Sequence, residues 1–331
     1  MKKVPTCLII DDPAPTISVF YEHAPTPYTD DGRLILPTYP NSFLFKFCDV
    51  IEKHGIKGKF SVVPMPGNKG DIISGIEGVS REDLDEWLNT VKERIVPNFT
   101  IGPEMLTHHK AVNLADGSAY EMNEHEWSKT QDRNTLAPYI AKALQIVNDA
   151  GFEAIGATSP WYFGLEVEDE YYAAMSQAVY DVTGSKNAWV FLRPLRGVPN
   201  AKPWVELEEG GRTLVAIPPT TNDAMWQTIH CTETSDEYVS RVADQLITAD
   251  GKSGQYIQVL ETGGYPILIT HWQSLFSNGL ETGIRVLDEI GRRINEHCAD
   301  RVEWMDFKQI MEMVIADKKA YPKPDFVFGK L

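Results

Sequence analysis

Residues 4–10 form an unbroken apolar run that stops at Asp11-Asp12-Pro13. A run of this length without polar alternation predicts a strand covered on both faces, as in a parallel sheet. Similar short runs at 59–63, 99–106, 153–157, 188–192, 213–217, 266–270 and 301–305 predict further strands, with a shorter one at 204–207. Stretches of helical periodicity lie between them, at about 41–54, 80–95, 134–150, 168–181, 235–248, 254–262, 280–297 and 307–318. In the first, Phe43, Phe47, Val50 and Ile51 share one face, Asn41 caps the start and Gly55 ends it. In the second, Ser80 is the cap, and Glu82 and Asp83 sit in the first turn, where carboxylates favour the helix dipole.

Two long stretches break the rhythm. Residues 13–40 carry Pro13, Pro15, Pro25, Pro27, Pro37 and Pro40, and residues 110–133 include Glu124-His125-Glu126-Trp127. Long excursions of this kind are commonly functional. Glu124-His125-Glu126 reads as a solvated loop. Strand and helix otherwise alternate seven or eight times, and no linker or shift in composition marks a second unit. This predicts one α/β domain over residues 1–331, a (β/α) barrel of seven or eight parallel strands. A doubly wound open sheet is the alternative, although no GxGxxG or P-loop supports a nucleotide-binding version.

Composition narrows the function. Hydrophobic residues make up 43% of the 331, enough for a large core, and the formal net charge is −16. That charge argues against nucleic acid and against an anionic membrane surface, both of which select for Lys and Arg. Cys7, Cys48, Cys231 and Cys298 have neither disulfide nor metal spacing, which fits a reducing compartment. Met1-Lys2-Lys3 is followed by too short an apolar run for a signal-peptide core, so a cytoplasmic location is expected. No run approaches the length of a membrane span.

Candidate chemistry collects just past successive strands: Asp11-Asp12, His108-His109, Ser159-Pro160-Trp161, Asn222-Asp223 and His271. In a parallel barrel the strand C-termini open on one face, where sites are built. Two carboxylates with imidazoles from separate strands suit a divalent metal with open positions, and a remaining His and Asp suit acid and base. Each has a plainer explanation: Asp-Pro opens ordinary turns, His108-His109 suits an exposed loop, and His271 suits a satisfied core imidazole beside Trp272. The coincidence of five strand ends outweighs any single member. His54 and His297 fall near helix C-termini, and His23 and His230 have no evident place.

The order Asp11-Asp12 after an apolar strand, then Glu104-Met-Leu-Thr-His108, Pro160-Trp161 and Leu268-Ile-Thr-His271, resembles the polysaccharide deacetylase (NodB-like, carbohydrate esterase family 4) superfamily. Residues 58–63 also look like that family's second strand. The resemblance implies a distorted (β/α) barrel and metal-assisted removal of an acyl group from a carbohydrate or small amide. It makes Asp11 the general base, Asp12 and His108 metal ligands, and His271 the general acid, with zinc as the first candidate ion. The family's second ligand His falls on Val112, which cannot bind metal. His109 or Asn113 would have to substitute, or Glu104 and His108 form the i, i+4 pair instead. The family's Arg before Pro-aromatic is absent from Ala157-Thr158-Ser159-Pro160-Trp161, so the base lacks its expected partner. The Asp-Trp motif that supports the last His has no match. Trp161, Asn222 and Asp223 are the expected substrate contacts, with Tyr28, Tyr39, Trp127 and Trp226 available to stack on sugar rings. Two competing readings are a metal-independent glycoside hydrolase using Asp11 or Asp12 with Asp223, and a silent carbohydrate-binding relative.

Overall fold

A computed structural model describes residues 3–195, 197–198 and 200–324. Nine of its strands concern the site: β1 (Val4–Asp11), β2 (Gly58–Val62), β3 (Phe99–Pro103), β4 (Gly156–Thr158), β5 (Asn187–Phe191), β6 (Trp204–Glu209), β7 (Arg212–Ala216), β8 (Ile267–His271) and β9 (Val302–Trp304). The helices between them include α1 (Asn41–His54), α2 (Arg81–Thr90), α3 (Arg133–Asp149), α4 (Glu168–Thr183), α5 (Asp236–Ala243), α6 (Gln255–Glu261), α7 (Thr282–Cys298) and α8 (Phe307–Ala316). The expected strand–helix alternation is present, with the ends of elements shifted by a few residues.

The strands form two main sheets. One runs β8-β1-β2-β3 in parallel, and β9 pairs the first residues of β1, Val4 to Thr6. The other runs β6-β7-β5-β4, parallel except for the β6–β7 hairpin. The parallel α/β arrangement is as expected, but the ladders do not join into one closed sheet among the described residues. Two seams separate the sheets. At the first, a single parallel bridge joins Glu104 to Thr158 beyond β3 and β4. At the second, the Thr220 amide donates to the Ile267 carbonyl (2.9 Å), and the Ile267 amide donates to Thr220 Oγ1 (2.9 Å). A side-chain hydroxyl here replaces a ladder carbonyl, so β7 and β8 meet without regular pairing. Gly102 and Gly156 fit the first seam sterically, because a Cβ on either would lie about 2.5 Å from the Trp189 ring.

Alternation along the strands sorts the core. Cys7 and Ile9 of β1 join Trp189, Phe191, Val215, Ile267 and Ile269 in a cluster between the sheets, which Phe307, Ile310, Met311 and Val314 of α8 close from below. Asp11 continues that inward series at the open end of β1. Leu8 and Ile10 face the outer layer of helices. The capping box at Asp306 and Gln309 starts α8 where it can plug the space. Of the long stretches, 13–40 holds the short helix Val19–His23, and 110–133 holds the hairpin Lys110–Val112/Ala119–Asn123 and the helix Glu124–Ser128. No helix among the described residues is long and apolar enough to cross a membrane.

Candidate active site

The register of β1 against β8 places Asp11 beside His271. Asp11 is 4% exposed and pairs with Lys59 Nζ at 2.5 Å. Lys59, fully buried on β2, also donates to Ser61 Oγ and to Thr158 Oγ1 (2.5 Å), and the two hydroxyls bond each other at 2.9 Å. Burying a lone ammonium is prohibitive, so Asp11 and Lys59 stabilise each other's charged forms. Asp11, the expected base, thus has a cationic partner, supplied by the neighbouring strand. Lys59 was hidden in the sequence inside a strand-like run. Its inward parity with Asp11 was the available signal.

Asp12 begins the turn after β1 in the left-handed region, with φ 69°. Its amide donates to Glu104 Oε2 (2.7 Å), and its Oδ2 accepts from Gln273 Nε2 (2.6 Å). Its Oδ1 forms an ion pair with His108 Nε2 at 2.9 Å and has no partner beyond that imidazole. Glu104 Oε1 lies 3.9 Å from the same imidazole nitrogen. Burial would raise the Asp12 carboxyl, but His108, His271 and the Gln273 amide hold it well below the usual range. Burial and the charges of Asp11 and Asp12 push the Glu104 carboxyl well up. Burial works against a charged His108, yet the Asp12 carboxylate outweighs it and raises the imidazole.

These three residues can hold a cation. One ligand atom from each of Asp12, Glu104 and His108 lies within 4.8 Å of the others, and all three side chains are buried. Neighbouring ligands on a tetrahedral ion with bonds of about 2.1 Å stand about 3.4 Å apart, between the two separations to His108 Nε2. Asp12 Oδ1 has no partner beyond the His108 imidazole, as suits an atom that would face a cation. The set is two carboxylates and one imidazole, a mixture suited to a divalent transition ion.

His109 does not join this group. Its Nδ1 contacts Asn68 Oδ1 at 2.9 Å, because a turn at His108 (φ 49°) points the two imidazoles apart. Glu104 takes the place expected of His109. The 104–108 turn is held by Glu124, whose carboxylate accepts from the amides of Leu106 (3.1 Å), Thr107 (3.0 Å) and His108 (2.8 Å) and from Tyr139 OH (2.7 Å). Glu124 is fully buried and corrects the expectation of a solvated loop there. No periodic pattern marked it, since its partners are backbone amides.

His271 ends β8, and its Nδ1 is 2.8 Å from Asp223 Oδ2. Burial opposes its charge, but the Asp223 hydrogen bond and the charges of Asp12 and Asp11 raise it to about 9. Asp223 therefore supports the imidazole, whereas the sequence placed it against substrate. Its side chain also caps the turn Ala224–Thr228. Asn222 is exposed, and its amide donates to Gln255 Oε1 at 2.7 Å.

Two indoles flank the site. Trp161 (φ 52°) packs on His108 with ring centroids 4.5 Å apart, and Trp226 meets His271 edge-on at 4.7 Å. Both are more than a third exposed. Tyr28 is more than half exposed, whereas Tyr39 and Trp127 are buried and closed to a ligand. His23, from the short helix in 13–40, lies nearly parallel to His108 (5.2 Å, 19°) and edge-on to Trp161 (5.3 Å). Its Nε2 is buried without a partner, and burial together with the His108 charge lowers its imidazole to about 4. Asp12, Met105, His108 and Trp161 are all non-glycine residues with positive φ. Such strain, about 1–3 kcal/mol per residue, gathers at sites where geometry matters more than comfort.

No protein-family model and no curated protein matches the chain. Solved structures do. A Mycobacterium smegmatis protein assigned as a polysaccharide deacetylase superposes with a TM-score of 0.50 at 15% identity, over 87% of this chain and 82% of that one. A 4-alpha-glucanotransferase from Thermococcus litoralis gives 0.46 at 11% identity, over 94% of this chain and 40% of that one. The Bc1960 peptidoglycan N-acetylglucosamine deacetylase gives 0.40 at 12% identity, over 94% of this chain and 89% of that one. The chain shares the fold of the first of these.

Proposed function

We propose that this chain is a metal-dependent hydrolase that removes an acyl group, acetyl first among them, from a carbohydrate or related small amide. The supporting observation is the convergence at neighbouring strand ends of a buried carboxylate–lysine pair, an Asp-Glu-His cation set and an aspartate-held imidazole. Asp12, Glu104 and His108 would hold the ion; zinc suits the set and, when bound, would polarise the acyl carbonyl and the attacking water. Asp11 takes the proton from that water, its carboxylate kept charged and oriented by Lys59. Trp161 N–H, which donates to no acceptor among the described residues, is free to stabilise the developing oxyanion. His271, held by Asp223, gives its proton to the departing nitrogen or oxygen. Water thus adds across the bond, yielding a carboxylic acid and a free amine or alcohol.

The glycosidase alternative needs two available carboxyls flanking a sugar bond. Asp223 is committed to His271 and Asp11 to Lys59, which disfavours it. The NodB-like barrel, acting as one unit over the whole chain, is the architecture this reading assumes, with seven parallel strands in circular order across the two seams. Its partners are carbohydrate or small amide, and neither nucleic acid nor membrane.

The test is acetate release from a panel of acetylated sugars and amides, with metal content measured on the same protein. Turnover that needs the ion and falls at least about a hundredfold in Asp11→Asn and His271→Ala supports the assignment. Ligand binding that survives both substitutions, without turnover in the parent, would instead make the chain a binding protein.

A further inference from the structure

The Asp12-Glu104-His108 set supplies three ligand atoms. Against His108 stands an imidazole that nothing above employs. His23 sits at the end of the short helix Val19–His23, which Ser18 caps by accepting from the Tyr21 amide. Its ring faces His108 at 5.2 Å between centroids, and its Nε2 is buried with no hydrogen-bond partner. A buried imidazole nitrogen without a partner is costly unless something occupies the adjacent space. Two imidazoles bound to one tetrahedral ion through bonds of about 2.1 Å have ring centroids about 5 Å apart. The observed separation falls in that range, and the nearly parallel rings (19°) must turn before both nitrogens face one ion.

We propose that His23 is the fourth ligand of the cation held by Asp12, Glu104 and His108, delivered in space by the proline-pinned stretch 13–40. The inference rests on the metal reading above and deepens it. His23 stands outside the three-residue set, so joining it takes a turn of its ring or a small shift of its helix. That helix is short and lies in an irregular stretch, where such a shift disturbs no sheet. Its anchors are Lys69, 3.4 Å from Glu22, and the Ser18–Tyr39 hydroxyl pair at 2.9 Å.

The test loads the full chain with one equivalent of Cu(II) and counts coordinated nitrogens from the superhyperfine structure of the electron paramagnetic resonance spectrum. Zinc affinity is measured in parallel by competition with a chromophoric chelator. The parent chain should show two nitrogens. His23→Ala should show one and bind zinc at least about tenfold more weakly. His23→Phe keeps the ring packing and cannot ligate, so it should match the alanine variant on both counts and controls for lost packing. His109→Ala should match the parent. A single nitrogen in the parent, or two nitrogens and unchanged affinity in both His23 variants, overturns the assignment while leaving the three-residue site and the hydrolase intact. No copper or zinc bound by the parent chain overturns both.

Discussion

Replacing Lys59 by methionine isolates the Asp11 pair. The side chains are of similar length, so the change removes charge and three donated hydrogen bonds with little change of volume. Asp11 would remain 4% exposed with no cation, since no other positively charged side chain contacts it among the described residues. Removing one member of a buried ion pair costs about 3–5 kcal/mol, because the survivor's desolvation is no longer offset. Removing both members is far cheaper. The Ser61–Thr158 hydrogen bond at 2.9 Å survives the change and moderates the loss of the other two donations. Lys59→Met should therefore lower the unfolding free energy by about 3 kcal/mol or more. The Lys59→Met/Asp11→Asn double variant should be the more stable of the two, with a coupling of about 2–3 kcal/mol. Urea unfolding followed by far-ultraviolet circular dichroism measures all four corners of this cycle. Because Lys59 touches none of the Asp12-Glu104-His108 atoms, metal content should hold in the single variant. A loss under about 1 kcal/mol, or strict additivity in the double variant, would refute the argument that these charges hold each other in place.

Other consequences can be measured separately. Glu104→Gln keeps the shape of the side chain and removes its charge, so metal content after dialysis should fall roughly tenfold or more, as read by elemental analysis. His271 must carry its proton to act as acid, so kcat/KM should decline above about pH 9, and Asp223→Asn should move that limb towards the ordinary imidazole range. The stability sign follows: the His271–Asp223 pair stabilises fully below about pH 6.5 and loses its contribution as pH rises through about 9, so the melting-temperature gap between parent and Asp223→Asn should close across that window. Glu124→Ala strands three buried amides and should cost about 3 kcal/mol or more in chemical denaturation, whereas Tyr139→Phe should cost about 1 kcal/mol.

Much of the fold was written in local pattern. The apolar run ending at Asp11-Asp12 and the similar run ending at His271 are neighbours in register, as strands buried on both faces should be. Helix boundaries were also readable, because Ser80 and Gly55 act through atoms close in sequence. What escaped depends on distant backbone. Whether the sheet closes is decided at two seams by the Trp189 ring and a threonine hydroxyl, neither of which leaves a periodic trace. Lys59 looked like any polar residue in a strand, and Glu124 like any loop carboxylate. His109 was favoured by adjacency to His108, but the positive φ at His108 turns its neighbour away. Asp223 was found at the right strand end and given the wrong neighbour, since its contact lies 48 positions along the chain.

The seams have a mechanical meaning. Lys59 reaches Thr158 across one of them, and Asp223 reaches His271 across the other. The residues proposed to accept and to donate the proton are therefore each tied, Asp11 through Lys59, across a joint between the two sheets. A shear of one sheet against the other strains both contacts at once, before the cluster beneath them is disturbed. Activity should therefore be lost on warming at a lower temperature than the far-ultraviolet signal of secondary structure.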